Sequence, residues 1–221
     1  MERVTHFGEN LQKHKYSFKL VRDEFALPNT RPSLPAFNSL VAQNAYADST
    51  HTKYSQEWCE EYRKVCLQNY DLNMKYFASL SKEDFNNELE NYLCRHKGFH
   101  EIRKLAYCDG LEGFYIMVLD EYKQVYIGKT YDIKKRIKKH WTITKDFDRV
   151  LLPMYNTDSV FSIDFFRALD TTRIFVWEYP ASDETEAKLI EDFPKIYCTN
   201  RIGGGVHDNM AALATMNRRK F

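Results

Sequence analysis

The sequence predicts an α+β fold in which a small three-stranded antiparallel sheet is flanked by helices. Residues 114–119 are an apolar run of aromatic and β-branched side chains, residues 120–123 are polar, and residues 124–128 are a second short run. Two such runs joined by a short polar segment are typical of a β-hairpin. Residues 173–178 alternate in the manner of a third strand, and helical patterns lie between and beyond the strands. This order predicts helices packed on an antiparallel sheet.

The N-terminal half is predicted to be mainly helical. Three prolines in residues 27–35 forbid a continuous helix there and indicate a linker or arm. An amphipathic helix is indicated by apolar side chains that recur near helical spacing among charged ones, namely Trp58, Tyr62, Val65 and Leu72. A second helix begins at a capping box of Ser81 and Asp84 and has Gly98 as its stop. We assign both aromatic faces to core packing rather than to base stacking, because periodicity requires only a buried face.

The helices of the C-terminal half have recognisable ends. Asp132 can cap a helix that runs to about Trp141. Residues 165–169 are assigned to one short helix within a poorly patterned stretch. Asp183 begins a last helix, which must end at or before Pro194.

The composition is that of an ordinary globular protein, with 43% hydrophobic and 29% charged residues. The formal net charge is only +1, so any binding of nucleic acid depends on local clusters of cations. The five cysteines form an odd set without a CxxC pair, which argues against a disulfide framework and against a structural zinc site. No apolar run approaches transmembrane length and the first residues lack the layout of a secretory signal, so we expect a cytoplasmic protein without a membrane partner.

A set of polar residues and short motifs is spread in order over the predicted hairpin and helices. It consists of Gly113-Phe114-Tyr115, Tyr126-Ile127-Gly128, Arg136, His140, Glu186 and Asn200. This ordered set resembles the motifs of the GIY-YIG nuclease superfamily over residues 113–209. Each motif alone is weak, but the order on hairpin, helix, helix and loop is hard to obtain by chance. The first triplet departs from the pattern, yet Phe114 alternates with Tyr115 and should point away from the site into the core.

The spacing of these residues is consistent with a shared cleft. Tyr115 and Tyr126 lie on paired strands and can face the same side of the sheet. Arg136 and His140 are four residues apart and therefore lie on one face of their helix. Glu186 is directed toward an apolar interface, where a carboxylate requires a cation.

The resemblance implies a role for each of these residues. Glu186 would hold one Mg²⁺ or Mn²⁺, Arg136 would neutralise charge on the phosphoryl group, and Tyr126 would position or deprotonate the attacking water. Tyr115 and His140 would support them.

Two further residues are included in the predicted site. Lys129 lies where some family members carry a lysine, and its charge would lower the pKa of Tyr126. Asn200 resembles the family's late asparagine, which orders the site and its loops. Simpler interpretations stay open: the tyrosines are common strand aromatics, Glu186 would complete a capping box if Asp183 were the N-cap, and Asn200 precedes a glycine-rich turn.

The helix that carries Arg136 is strongly basic. We predict that Lys134, Lys135, Lys138 and Lys139 contact the nucleic-acid backbone, the alternative being a role in solubility. A weaker basic cluster, of Arg218, Arg219 and Lys220, ends the sequence.

The expectation is a metal-dependent DNA endonuclease of a restriction, defence or mobile-element system. Residues 106–221 would form the nuclease domain, and residues 1–105 would recognise DNA or form a homodimer. Two alternatives remain, a nucleic-acid binding module that has lost cleavage and a structure-specific repair nuclease. Fold analogy alone does not decide between them.

Overall fold

The computed structural model describes residues 2–13, 16–27, 47–50, 52–151 and 159–200. This part of the chain has an α+β fold with four α-helices and two antiparallel sheets. The strands are β1 (Arg3–His6), β2 (Glu9–Gln12), β3 (His100–Ile102), β4 (Gly113–Leu119), β5 (Gln124–Thr130) and β6 (Arg173–Glu178). The helices are α1 (Gln56–Ser79), α2 (Lys82–Arg95), α3 (Ile133–Thr142) and α4 (Asp183–Glu191). The three prolines of the predicted arm and the basic C-terminal cluster lie outside the described residues.

The larger sheet has four strands in the order β3-β6-β4-β5, with every pair antiparallel. The predicted strands β4, β5 and β6 are confirmed, but the prediction of a three-stranded sheet is wrong by one edge strand. β3 has three residues, of which only Ile102 is buried. A segment this short shows no alternation by which a strand is recognised.

The prediction of a mainly helical N-terminal region also missed the hairpin of β1 and β2. Its two-residue loop consists of Phe7 (φ 46°) and Gly8 (φ 76°), the positive φ values of a type I′ turn. Phenylalanine is uncommon at positive φ, so the sequence lacks the Asn-Gly or Asp-Gly signal that usually marks this turn.

Both faces of the larger sheet are covered, which explains why every residue of β4 is buried. Phe114, Ile116 and Val118 pack with α2 and α4 on one face. Met117 and Leu119 pack with α1 and α3 on the other, together with Tyr115. Helices of residues 1–105 thus contribute to both apolar clusters beside the C-terminal strands.

The helix boundaries follow their capping residues. The Ser81 hydroxyl accepts a hydrogen bond from the Asp84 amide (3.1 Å) at the start of α2, which confirms the predicted N-cap. α4 ends at Glu191, as the position of Pro194 requires. Residues 165–169, by contrast, are not one helix, because they are divided between two 3-10 turns, Ile163–Phe165 and Ala168–Asp170.

The buried face of α1 is rotated from the predicted stripe. Val65 and Leu72 lie at its edge, and the buried positions include Cys66, Tyr70 and Phe77. All five cysteines of the chain are free, and four of them are buried, as expected for reduced thiols. In the described part of the chain, no helix combines the length and the apolar character that crossing a membrane requires.

Gly128 of β5 is required by its cross-strand partner. It lies opposite Tyr115, whose ring crosses directly over it. A Cβ atom at this position would lie 2.6 Å from the Tyr115 hydroxyl oxygen and 2.7 Å from its Cζ. The glycine of the second triplet, Gly128, therefore leaves room for the tyrosine of the first triplet, Tyr115.

We expect Gly128→Ala to destabilise the protein by about 1–3 kcal/mol, because a methyl group there overlaps a buried ring. Chemical denaturation of the variant measures this loss. In a Tyr115→Ala background the same substitution should cost less, since the ring is gone. Equal costs in the two backgrounds would contradict the contact.

Candidate active site

Three of the predicted site residues lie together at the surface beside the edge strand of the larger sheet, in a region that we call the cleft. Tyr126 of β5, Arg136 of α3 and Glu186 of α4 are each partly exposed. Two others, Tyr115 and His140, are buried behind them. These five predicted residues therefore lie together in two layers. The open layer consists of Tyr126, Arg136 and Glu186, and the buried layer consists of Tyr115 and His140.

The two tyrosines face the same side of the hairpin. Tyr115 pairs with Gly128 and Met117 pairs with Tyr126, so the phenols are diagonal neighbours with ring centroids 6.1 Å apart. Burial raises the pKa of Tyr115 well above its usual value and that of Tyr126 to about 12, although Arg136 lowers both. Both hydroxyls are therefore protonated at neutral pH and can donate hydrogen bonds.

Arg136 projects from the first turn of α3 toward these phenols. Its guanidinium interacts with the hydroxyls of Tyr115 and Tyr126. Among the described residues, no carboxylate lies within 4 Å of it. A half-buried cation whose hydrogen-bond partners are two neutral phenols can bind an anion such as a phosphate.

Glu186 reaches the cleft around the outer edge of β5. Its Oε1 accepts a hydrogen bond from the backbone amide of Lys129 (3.1 Å). Burial raises its pKa, and the charges of Lys129 and Arg136 only partly offset this effect. Within the described part of the chain it has no ion pair.

The capping-box interpretation of Glu186 is wrong. The N-cap of α4 is Ser182, whose hydroxyl accepts from the Thr185 amide (3.1 Å). Glu186 is therefore one residue beyond the N3 position that a capping box uses. Its carboxylate is directed at the sheet edge instead of at the start of its own helix.

The prediction that the charge of Lys129 lowers the pKa of Tyr126 is wrong. It alternates with Tyr126 and Gly128 along β5, so its side chain leaves the opposite face, where Nζ pairs with Asp183 at 2.9 Å. The pKa of Tyr126 is raised, not lowered, and Arg136 is the cation that opposes the rise. Lys129 contributes to the cleft through its backbone amide.

Asn200 holds the outer edge of β5 and is not a simple turn residue. Its Oδ1 accepts from the Ile127 amide (3.0 Å) and its Nδ2 donates to the Ile127 carbonyl (2.7 Å). The side chain, which is buried, therefore pairs like a neighbouring strand between Tyr126 and Gly128. It positions the cleft without lining it.

His140 lies in the buried layer, between a phenol and a carboxylate. Its Nε2 is 2.8 Å from the Tyr115 hydroxyl, and its Nδ1 is 2.8 Å from Oδ1 of Asp164. Lys145 Nζ pairs with the other carboxylate oxygen of Asp164 at 3.1 Å. Sequence reasoning missed Asp164 and Lys145, because both lie in the stretch without a regular pattern.

The basic face of α3 is partly neutralised within the protein. Glu9 of β2 pairs with Lys134 (3.5 Å) and Lys138 (2.6 Å). Lys135 pairs with Asp132 (2.9 Å). Lys139 is exposed and, among the described residues, forms no ion pair. Lys135 and Lys138 have solvent-exposed side chains, and ion pairs at the surface are weak, so a phosphate can compete for these two lysines.

The described residues contain no group of three or more His, Cys, Asp or Glu side chains arranged to hold a metal ion. The cleft instead presents the single carboxylate of Glu186, destabilised by burial and without a bound cation partner in the protein. Mg²⁺ commonly binds through one or two carboxylates, with water and phosphate oxygens completing its shell. The residues present therefore fit one such ion.

No protein-family model, curated protein or solved structure matches this chain. The geometry of the cleft is therefore the main guide to its function.

We expect Glu186→Gln to raise the melting temperature by about 2 °C at pH 7 without metal. The raised pKa means that the folded protein binds the proton more tightly than the unfolded chain. The charged form thus costs stability above the unfolded pKa of about 4.3, and the gain from glutamine should vanish in more acidic solution. Thermal denaturation across this pH range measures the difference.

The matched control is Glu184→Gln, which changes the same charge at an exposed position of α4 that pairs with Lys188. It should not raise the melting temperature. Mg²⁺ should stabilise the wild type and not Glu186→Gln. A lower melting temperature for Glu186→Gln at pH 7 would show that the carboxylate is a structural partner.

Proposed function

We propose that this protein is a metal-dependent endonuclease with a GIY-YIG fold that hydrolyses phosphodiester bonds of DNA. The proposal is supported by the convergence of the predicted residues on one cleft at the edge of an antiparallel sheet. Within the α+β class, we propose the GIY-YIG fold in particular because the motifs of that family occur here in the same order.

One observation carries the proposal. Glu186 and Arg136 open onto the same cleft with opposite charges close enough to interact, yet they form no ion pair in the described structure. Side chains that serve only stability usually satisfy such charges directly. Phosphodiester hydrolysis requires a carboxylate that can bind a metal cation and, beside it, a guanidinium that can bind the phosphate.

The residues of the chain would divide the reaction between them. Arg136 donates hydrogen bonds to the phosphoryl oxygens and stabilises the charge that develops there. Tyr126, protonated at neutral pH, orients the attacking water through its hydroxyl, because its raised pKa makes it a poor base. A divalent ion on Glu186 would supply charge neutralisation and a more acidic water when bound.

The remaining parts of the proposal rest on the resemblance. The substrate is DNA, the protein is cytoplasmic, and its role is in restriction, defence or a mobile element. Residues 1–105 would select the target or form a homodimer. A binding module that has lost cleavage and a structure-specific repair nuclease are the alternatives.

We expect Arg136→Ala and Glu186→Gln to lower the rate of plasmid nicking by about 10²–10³-fold in Mg²⁺ or Mn²⁺. DNA affinity should change little, because each residue acts mainly on the reacting phosphate. Conversion of supercoiled plasmid measures nicking, and fluorescence anisotropy measures affinity.

Arg95→Ala and Glu184→Gln are the controls, since each removes an exposed charge that pairs with another surface side chain outside the predicted site. Wild-type rates in both site variants would disprove the assigned site. Binding without nicking on every substrate at low salt would favour the inactive module. Cleavage confined to branched DNA would favour the repair nuclease.

We expect Glu9→Gln to strengthen DNA binding, because it releases Lys138 for phosphate contacts and removes one of the two carboxylates, those of Glu9 and Asp109, that pair with Lys134. The slope of log affinity against log salt should steepen by about one. Binding titrations over a range of salt concentrations measure both quantities.

Glu121→Gln is the matched control, because Glu121 also pairs with a lysine, Lys19, and lies away from α3. It makes the same change in net charge. If the two variants bind DNA equally, Lys138 does not contact the substrate.

A further inference from the structure

The buried layer of the site contains a continuous chain of hydrogen bonds that ends at Asp164. Its links join Asp164 Oδ1 to His140 Nδ1 and His140 Nε2 to the Tyr115 hydroxyl, each at 2.8 Å. Tyr115 in turn interacts with Arg136, whose guanidinium opens onto the cleft. The chain therefore connects a residue outside the predicted motifs with the proposed phosphate-binding group.

The chemistry of the groups gives this chain a direction. A carboxylate can only accept, so the proton of the neutral His140 ring is on Nδ1. Nε2 is then an acceptor, and the Tyr115 hydroxyl donates to it. The hydroxyl proton is thus turned away from Arg136, and the phenol oxygen presents its lone pairs to the guanidinium.

The surroundings of His140 favour its neutral form. Burial lowers its pKa, the hydrogen bond to Asp164 raises it, and the nearby charges of Arg136 and Lys145 lower it further. The ring also packs against Tyr126, with ring centroids 5.0 Å apart. A neutral ring has two tautomers, so something must select between them.

We propose that Asp164 is a positioning residue of the active site. It holds His140 as the Nδ1–H tautomer, which makes Tyr115 an acceptor for Arg136 and orients the guanidinium toward the substrate. The catalytic consequence rests on the proposed function, whereas the tautomer assignment does not.

The surroundings of Asp164 hold its carboxylate in place and in its ionised form. Its amide donates to the Ser162 hydroxyl (3.4 Å), at the start of a 3-10 turn beside α3. Burial would raise its pKa, but the hydrogen bond from His140 and the charge of Lys145 outweigh burial and hold it well below its usual value. The carboxylate is therefore ionised at neutral pH and can only accept hydrogen bonds.

Lys145 makes Asp164→Asn a sharp test. The ammonium group requires an acceptor, so the amide oxygen of asparagine should face Lys145 and its NH₂ group should face His140. His140 Nδ1 then becomes an acceptor and Nε2 carries the proton. Tyr115 would accept from His140 and point its own proton at Arg136, which leaves two donors facing each other.

The experiment is nuclear magnetic resonance of the full chain with ¹⁵N-labelled histidine and arginine, without metal or DNA. In the wild type, the His140 Nδ1 should carry the proton, and in Asp164→Asn the proton should be on Nε2. The Arg136 Nε–H signal should shift in the variant as its partner changes. Asp120→Asn is the control, because it removes a partly buried carboxylate that pairs with Arg173 at the other end of β4.

The kinetic arm uses plasmid nicking. Asp164→Asn should lower kcat by about 100-fold, the cost of a misplaced catalytic group, with KM nearly unchanged. In a Tyr115→Phe background the same substitution should cause little further loss, because the chain is already broken. If Asp164 only supported the fold, Asp164→Asn would lower kcat by the same factor in the wild type and in Tyr115→Phe.

An Nε2–H tautomer in the wild type, or an unchanged tautomer and Arg136 signal in Asp164→Asn, would overturn the assignment. If the spectra behave as expected but the wild type cuts no DNA, the positioning chain stands and the proposed nuclease function fails. If the spectra are as expected and kcat is unchanged, Asp164 does not position the reacting groups.

Discussion

The outer edge of β5 is the constraint on which the candidate site depends. An edge strand leaves backbone N–H and C=O groups without partners, and these groups must be satisfied where the edge is covered. Thr199 donates to the Val125 carbonyl, Asn200 binds both backbone groups of Ile127, and Glu186 accepts from the Lys129 amide. Two of these three residues, Asn200 and Glu186, belong to the predicted set. Satisfying the strand edge therefore places them next to Tyr126.

In the proposed mechanism, the open layer of residues binds the substrate and the buried layer orients the open one. Tyr126, Arg136 and Glu186 meet solvent, where a substrate can reach them. Tyr115 is fully buried, so it acts on its neighbours and not on a substrate directly. A low-dielectric environment strengthens the hydrogen bonds of this inner layer and fixes their direction. Rigid support of this kind is what the partly exposed side chain of Arg136 needs in order to hold one orientation.

The N-terminal half is built into the architecture that carries the cleft. α1 packs on the same face of the sheet as α3, and α2 packs with α4 on the other. Glu9 of the β1–β2 hairpin pairs with two lysines of α3 and so reduces the positive charge beside the site. Residues 1–105 therefore share both apolar clusters with the strands that carry the candidate site.

The sequence by itself determined the α+β layout, the β4–β5 hairpin, β6 and the beginning of α2, because hydrophobic periodicity and capping are local properties. It also determined that Tyr115 and Tyr126 share a face, since strand alternation has a period of two. It did not show β3 or the β1–β2 hairpin, whose strands are too short for a pattern and whose turn uses Phe7 at positive φ. Only the tertiary structure decided that Lys129 turns away from Tyr126, that Ser182 and not Asp183 caps α4, and that Asp164 supports His140. Each of these depends on groups brought together from distant parts of the chain, for which local spacing carries no signal.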